Sequence, residues 1–510
     1  MTNIQPTTIA ECVVHHAEGA NAIGAPRRPW MTYGALRGLL TRTVDALNAM
    51  GIGRADRVAI VLPNGPEMGV AFLAVAGAAT AAPLNPGYNE EEFRFYLSDL
   101  HTKALIVLAG DDTPARRAAN GLGIAIVELK PDSGAAGAFT LTLDRPPLQP
   151  SGLLGPAESS DVALILHTSG TTARPKIVPL THANITASAR HIGASLDLGS
   201  ADVCLNIMPL FHIHGLIAGL LSSLVAGASV SCAPGLNAFR FFGWFADLQP
   251  TWYTAVPTMH QTLLELAPRF QDQIAKGRLR FIRSSSASLP PSVMHNLETV
   301  FGVPVIEAYG MTEASHQMAA NPLPPRPRFA GSVGVAAGPD IAVMDDAGAL
   351  LPSGSLGEVV IRGPNVTAGY EANPDANAVA FRNGWFRTGD QGVIDADGYL
   401  RLTGRLKEVI NRAGEKVSPL EVEAILLEHP AVRQAVVFSM PDRLMGEEVA
   451  AAIVLKDGAA IDESDLRDFV ATRLSAFKVP KRIVTIGELP KGATGKLQRI
   501  GLAERLGLGT

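Results

Sequence analysis

Short apolar stretches and segments with helical spacing alternate along most of this chain, and that order leaves few architectures open. Residues 33–50 place apolar side chains at helical spacing, 57–62 read as a buried strand, and 67–78 return to a helix. Asn89, with Glu92 three residues on, predicts a capping box that opens a helix ending near Leu100, and 104–108 is the next strand. Strand–helix–strand order predicts parallel sheets covered by helices. Residues 131–156, rich in Gly and Pro and poor in periodicity, are expected to form a surface connection. From Asp161 the alternation resumes, with strands expected near 162–166, 203–208, 252–256, 280–283 and 303–308.

After Gly331 short strands are separated by turns such as Asp345-Asp346-Ala347-Gly348 and Asp395-Ala396-Asp397-Gly398, which predicts a β-rich subdomain over about 331–403. A compact unit then begins at Gly404. Within it Ser418-Pro419-Leu420-Glu421 combines a capping serine, a first-turn proline and a capping glutamate, so a helix should run to about His429. Strands at 435–438, 450–455 and 483–486 and a helix at 463–474 complete it. The reading is an α/β chain: a large N-terminal domain, 1–403, of parallel helix-covered sheets with its β-rich subdomain, and a small mobile α+β C-terminal domain, 404–510. Since the junction is not Gly/Ser-rich, motion between them should be a hinge. A length of 510 residues accommodates both, at ~100–200 residues per domain.

Composition narrows the function. At 47% hydrophobic and 18% charged residues the chain can build large cores and is not of the disordered class. Lys plus Arg at 43 against Asp plus Glu at 48 gives a net charge of −5, which offers no basic field for nucleic acid or anionic lipid. Cys12, Cys204 and Cys232 lie far apart and form no C-x-x-C pair, so a reducing compartment is expected. The N-terminal stretch lacks a basic region followed by an apolar run, and the C-terminus lacks a Ser-Lys-Leu address. Residues 216–233 are the most apolar, but serines interrupt them and Gly227 breaks them, so a buried helix followed by a strand is expected rather than a membrane span. These features together predict a cytoplasmic protein without membrane or nucleic-acid partners. Oligomeric state is not legible.

Five segments carry residue types suited to chemistry. His167-Thr168-Ser169-Gly170-Thr171-Thr172-Ala173-Arg174-Pro175-Lys176 follows a buried strand. Its hydroxyls and exposed backbone N–H groups suit phosphate oxygens, with Lys176 adding a point charge, although an ordinary turn has the same composition. It is not a Walker loop, since no Gly-Lys-Ser/Thr triplet follows. In Glu307-Ala308-Tyr309-Gly310-Met311-Thr312-Glu313 the tyrosine suits a base, the threonine a phosphate and Glu313 a hard cation such as Mg²⁺. Trp385-Phe386-Arg387-Thr388-Gly389-Asp390 presents a carboxylate able to accept from two ribose hydroxyls. Gly404-Arg405-Leu406-Lys407-Glu408, followed by Asn411 to Lys416, enters the small domain, and Pro490-Lys491-Gly492-Ala493-Thr494-Gly495-Lys496 is a glycine-flanked lysine near the end. Taken singly, each also reads as a solvated turn, a strand end or a surface ion pair.

Taken in order, all five resemble the core motifs of the adenylate-forming superfamily, which includes acyl-CoA synthetases, firefly luciferase and peptide-synthetase adenylation domains. The resemblance runs from about Tyr33 to Arg499. Ala173 stands where the superfamily usually has glycine. The phosphate-loop string, together with Met208-Pro209-Leu210-Phe211-His212-Ile213-His214-Gly215, looks most like the oxalyl-CoA synthetases of fungi and plants. So do Phe281-Ile282-Arg283-Ser284-Ser285-Ser286, Met311-Thr312-Glu313-Ala314-Ser315-His316-Gln317-Met318 and the segment from Asn411 to Pro419.

The resemblance implies two half-reactions: a carboxylate attacks the α-phosphorus of ATP to give an acyl-adenylate and pyrophosphate, then coenzyme A takes the acyl group and AMP leaves. It implies that Thr168, Ser169, Gly170, Thr171, Thr172 and Lys176 hold phosphates, Tyr309 the adenine, and Asp390 and Arg405 the ribose. It further gives Thr312, Glu313 (with Mg²⁺) and Lys496 to catalysis, His212 to a gate and Lys407 to the hinge. A buried structural role is the rival for His212. For an acid as short and charged as oxalate, His214, Ser284, Ser285, Ser286 and His316 are expected donors, with Arg283 joining if it faces inward; for the serine run, a strand end bonded to backbone is the rival. Lys478 is a weaker candidate for a coenzyme A phosphate. Other acids (malonate, medium-chain or aromatic), a carrier protein as acceptor, and nucleotide binding without turnover stay open.

Overall fold

The computed structural model describes residues 5–150, 152–168, 175–491 and 497–508. Ser169, Gly170, Thr171, Thr172 and Ala173 of the phosphate loop, and Lys496, lie outside the described residues.

Two large sheets form the N-terminal body. The first runs, in spatial order, Phe139–Leu143, Ala125–Pro131, Ala104–Leu108, Arg57–Ile60, Thr80–Pro83, Val162–Thr168, Lys176–Thr181. Its inner pairs are parallel and its two outermost pairs antiparallel. The second runs Val335–Ala336, His316–Ala320, Val305–Met311, Phe281–Ser285, Trp252–Ala255, Val203–Asn206, Ser229–Cys232, Asn21–Ala25, Arg28–Thr32, parallel from Val305–Met311 through to Asn21–Ala25. Between the sheets lies the helix Pro66–Ala76, which beyond Glu67 in its first turn is apolar on every face and buried from Met68 to Ala76, touching strands of both. A helix apolar all round has to be buried on all sides. Each fully buried Val70, Phe72 or Leu73 contributes roughly 1.5–3 kcal/mol.

Local signals fix the ends. Asn89 accepts from the Glu92 amide at 2.9 Å while the Glu92 carboxylate accepts from the Asn89 amide at 2.8 Å, closing the box that opens the helix Glu90–Asp99. The expected connection at 131–156 contains a strand, Phe139–Leu143, folded back antiparallel on Ala125–Pro131. Phe139-Thr140-Leu141-Thr142-Leu143 has period-2 alternation, and it outweighs the flanking glycines and prolines. The apolar stretch is a helix and then a strand: a π-helical run, His214–Leu221, continues as Ser222–Val225, breaks at Gly227 (φ 74°) and resumes as Ser229–Cys232. Ser222 and Ser223 are tolerated inside it because each hydroxyl donates to a carbonyl four residues back, at 2.6 and 2.7 Å. Among the described residues no helix is long and apolar enough to cross a membrane.

A five-stranded antiparallel sheet follows, Asp340–Met344, Leu356–Arg362, Trp385–Ile394 and Phe381–Arg382, with Leu400–Arg405 also on Trp385–Ile394. The last sheet orders Glu415–Val417, Ile410–Arg412, Gly446–Leu455 and Val432–Asp442, with Arg482–Thr485 parallel to Gly446–Leu455. The helices Pro419–Glu428 and Glu463–Ala471 bury Val422, Leu426, Leu466 and Val470 in a core with Val437, Val449 and Ile453. Ser418 caps the first of them, accepting from the Glu421 amide at 3.3 Å.

Candidate active site

The carboxyl ends of parallel strands open on a common crevice in α/β sheets, and the expected residues sit at such ends: Thr168 closes one strand of the first sheet, and Ser285 and Met311 close two strands of the second. Lys176 is the register partner of Thr168 across the loop.

Three residues expected to hold a nucleoside form one chain of contacts. The Tyr309 hydroxyl donates to the Asp390 carboxylate, and Arg405 Nε lies 3.2 Å from the other oxygen of Asp390, its partner across the sheet. Burial, reinforced by the Asp390 charge, drives the Tyr309 phenol well above its usual range, so it stays protonated and donating. The turn presenting Asp390 is itself built: Gly389 adopts φ 74°, its amide donates to Glu358 at 3.0 Å, and Arg387 donates to the same carboxylate at 2.6 Å.

Thr312 opens a short turn, Thr312–Ala314, that buries Glu313. Glu313 Oε1 accepts from the Tyr370 hydroxyl at 2.8 Å, and Lys176 Nζ sits 4.3 Å above the Tyr370 ring. Burial raises the Glu313 pKa, and Tyr370, Arg405 and Lys176 oppose that shift. Among the described residues no three His, Cys, Asp or Glu side chains cluster as a metal cage. Mg²⁺ is commonly held by one or two carboxylates, with substrate phosphates and water completing its shell, and Glu313 suits that mode.

The third group is a buried polar cluster between strands. Thr254 and Arg283 are register partners on neighbouring strands, both fully buried. Arg283 Nη1 lies 3.4 Å from His214 Nε2 and 3.4 Å from Thr254 Oγ1, while Nη2 lies 3.1 Å from His316 Nε2 and 3.2 Å from Gln317 Oε1. The His214 and His316 rings stack at 4.9 Å. Ser286 Oγ is 3.0 Å from His214 Nδ1. Arg283 faces no carboxylate within ion-pair distance among the described residues, and burial alone lowers its pKa to about 9. Of the other expected acid donors, Ser285 donates to the Ala308 carbonyl at 2.8 Å, and Ser284, buried without a hydrogen-bond partner among the described residues, alternates to the opposite face of its strand from Arg283. The fold therefore gathers His214, His316, Ser286 and Arg283 and leaves Ser284 and Ser285 apart. His212 packs on Phe211, just before the π-helix; such local π-turns are frequent at functional sites.

In the C-terminal unit, Asn411 and Lys416 face each other across a hairpin whose turn places Ala413 and Gly414 at positive φ. Lys407 is exposed between the strands Leu400–Arg405 and Ile410–Arg412. Lys478 is held by both oxygens of Glu421 at 2.7 Å. Sequence reasoning did not single out Thr254, Gln317, Tyr370 or Arg499. Arg499, three residues past Lys496, is anchored by Glu408 and, at 2.8 Å, by Glu423. A threonine inside the otherwise apolar buried strand Trp252–Ala255 was the available signal for Thr254.

Residues 12–371 match the family model described as AMP-binding enzyme, and 421–496 match the AMP-binding enzyme C-terminal domain. An oxalate–CoA ligase of Arabidopsis thaliana is 46% identical over 475 residues, covering 92% of each chain. One from Saccharomyces cerevisiae is 44% identical, covering 88% of this chain and 87% of its own. The crystal structure of ATP-bound MatB from Rhodopseudomonas palustris superposes with a TM-score of 0.87 at 29% identity, covering 98% of both chains. The chain belongs to the AMP-binding, adenylate-forming enzyme family.

Proposed function

We propose that this chain joins oxalate to coenzyme A at the expense of ATP, releasing AMP and pyrophosphate. It is an AMP-forming acid–CoA ligase, in keeping with relatives that carry that activity. One observation carries the choice of acid: a fully buried guanidinium, Arg283, that lacks a carboxylate partner among the described residues and lies beside two histidines and Ser286. An uncompensated buried cation is costly, and a small dianion relieves that cost where an aliphatic chain does not.

The chemistry follows from charge. A carboxylate approaching a phosphate meets like-charge repulsion, so the protein must position both and oppose the developing charge. Tyr309, Asp390 and Arg405 hold the nucleoside, while Thr168, Lys176 and the loop 169–172 hold phosphates. Thr312 and Glu313 serve the same reacting phosphates. Glu313 would hold Mg²⁺, which would supply positive charge against the phosphates. Lys496 completes the first half-reaction from the C-terminal domain, 404–510, which turns about Lys407 against the domain 1–403. The Asn411–Lys416 hairpin then replaces it, and His212 opens the way for the thiol. Three buried free cysteines support a reducing, cytoplasmic setting.

The test is pyrophosphate release with oxalate, malonate, acetate and octanoate, coenzyme A being the sole acceptor. Oxalate is expected to give the highest kcat/KM and oxalyl-CoA as product. A higher kcat/KM for octanoate, or no thioester with any of the four, refutes the reading.

A further inference from the structure

We propose that Arg283 is a positioning and specificity-determining residue, a clamp that fixes His214 and His316 as neutral rings protonated on Nδ1 and so makes the acid pocket a set of donors. This rests on the acid–CoA ligase reading and concerns how that site tells a dianion from a monoanion.

A guanidinium has only donors. Its two terminal nitrogens face Nε2 of both histidines, at 3.4 and 3.1 Å, so each Nε2 must present its lone pair and each ring proton resides on Nδ1. The second donor on each side is matched by an acceptor, Thr254 Oγ1 at 3.4 Å and Gln317 Oε1 at 3.2 Å, which holds the fork in its plane. Thr254 Oγ1, accepting from Arg283, keeps its own hydrogen for His214 Nε2 at 2.6 Å, an arrangement consistent with the tautomer that Arg283 imposes. His214 Nδ1–H then donates to Ser286 Oγ at 3.0 Å. With that lone pair occupied, the Ser286 hydroxyl hydrogen is left to donate.

The polarity therefore runs outward from Arg283 through Thr254 and His214 to Ser286. The cluster keeps one full positive charge, because a proton added to either ring would set a second cation against the buried guanidinium, 3.4 Å from His214 Nε2 and 3.1 Å from His316 Nε2. Carboxylate oxygens at the far end of the acid satisfy these donors, whereas the methyl of acetate leaves them unpaired. Sites built to hydrogen-bond a polar group reject analogues lacking it far more strongly than apolar pockets reject a missing methylene.

Full-length wild type, Arg283→Met, Arg283→Lys and Ser286→Ala are compared for pyrophosphate release with oxalate and acetate. In parallel, ring-nitrogen NMR of histidine-labelled protein, assigned with His214→Asn and His316→Asn, reads the tautomers. Arg283→Met should lower kcat/KM for oxalate by about 100-fold, mostly through KM, as expected for loss of charged buried hydrogen bonds. Acetate should change less than about threefold and the KM for ATP should stay put. Arg283→Lys should recover part of the selectivity, and Ser286→Ala should lose oxalate selectivity with the histidine signals unchanged. Wild-type His214 and His316 should both show Nδ1–H, and Arg283→Met should abolish that preference.

Equal losses with both acids, or wild-type rings protonated on Nε2, overturn the proposal. Should Arg283→Met not fold, the wild-type ring signals and Ser286→Ala still decide. Should wild type prefer another dicarboxylate, the oxalate reading falls, while the tautomer measurement and that diacid's ratio to its monoacid still judge the clamp.

Discussion

Glu307 sits in the strand Val305–Met311 that delivers Tyr309 to the site, and it is a carboxyl group in the wrong solvent. Its Oε1 accepts from the Leu289 amide at 2.8 Å, pinning the far end of the loop that begins at Ser286, and its Oε2 is buried with no partner among the described residues. Burial raises its pKa from 4.5 to about 8, against the pull of the Leu289 amide. The folded state therefore binds this proton more tightly than the unfolded one. Stability from it is full below about pH 4.5, and is lost as pH rises through about 8. Each pH unit in that window is worth about 1.4 kcal/mol, so between pH 6 and pH 8 the native state loses on the order of 2 kcal/mol through this one group. Glu307→Gln keeps an acceptor for Leu289 and cannot ionise. Urea unfolding at pH 6 and pH 8 should show the wild type falling by about 2 kcal/mol more than Glu307→Gln between those two pH values, with the two proteins similar only near or below about pH 4.5. Parallel pH dependence in both would refute the argument that this carboxyl is protonated when folded.

Three further outcomes follow from the geometry. A methyl at Gly219 would lie 2.5 Å from the Asn206 side chain, which itself donates to the Gly215 carbonyl at 3.0 Å, so Gly219→Ala should cost about 1–3 kcal/mol by denaturant midpoint; an unchanged midpoint would refute it. Asp390→Asn removes the charge that Tyr309 and Arg405 share, and should raise the KM for ATP about tenfold or more while the KM for the acid moves little; the reverse pattern would remove Asp390 from the nucleoside. Lys496→Ala should slow adenylate formation by about 10²–10³ and spare thioester formation from supplied acyl-adenylate; equal loss in both steps rejects the division of labour between domain positions.

What could be read beforehand was local chemistry. The capping box at Asn89 and the capping serine at Ser418 announce themselves within four residues, and both helices begin where they should. The strand Phe139–Leu143 was missed because its threonine–leucine alternation is short and lies among glycines and prolines, whose statistics dominate a window that long. Tyr370 was missed for a different reason. Its partners, Glu313 and Lys176, are distant in sequence, and no spacing rule relates a residue beyond the second large sheet to a turn at the end of one of its strands.

Arg283 marks the boundary between the two kinds of knowledge. Strand alternation alone separates Phe281 and Arg283 from Ile282 and Ser284, so the sequence establishes that arginine and the neighbouring serine face opposite ways. It does not say which face meets the pocket. That depends on register with the adjacent strand, where Thr254 stands opposite Arg283, and on the π-helical turn that brings His214 over both. The serine run drew notice because three hydroxyls in a row are conspicuous. Yet a hydroxyl at a strand end has backbone carbonyls in easy reach, and Ser285 takes one. A guanidinium has no such local outlet: with five donors and a full charge it must recruit acceptors from several strands or a ligand from outside. The residue whose needs the local chain cannot meet is therefore the better guide to where substrate binds.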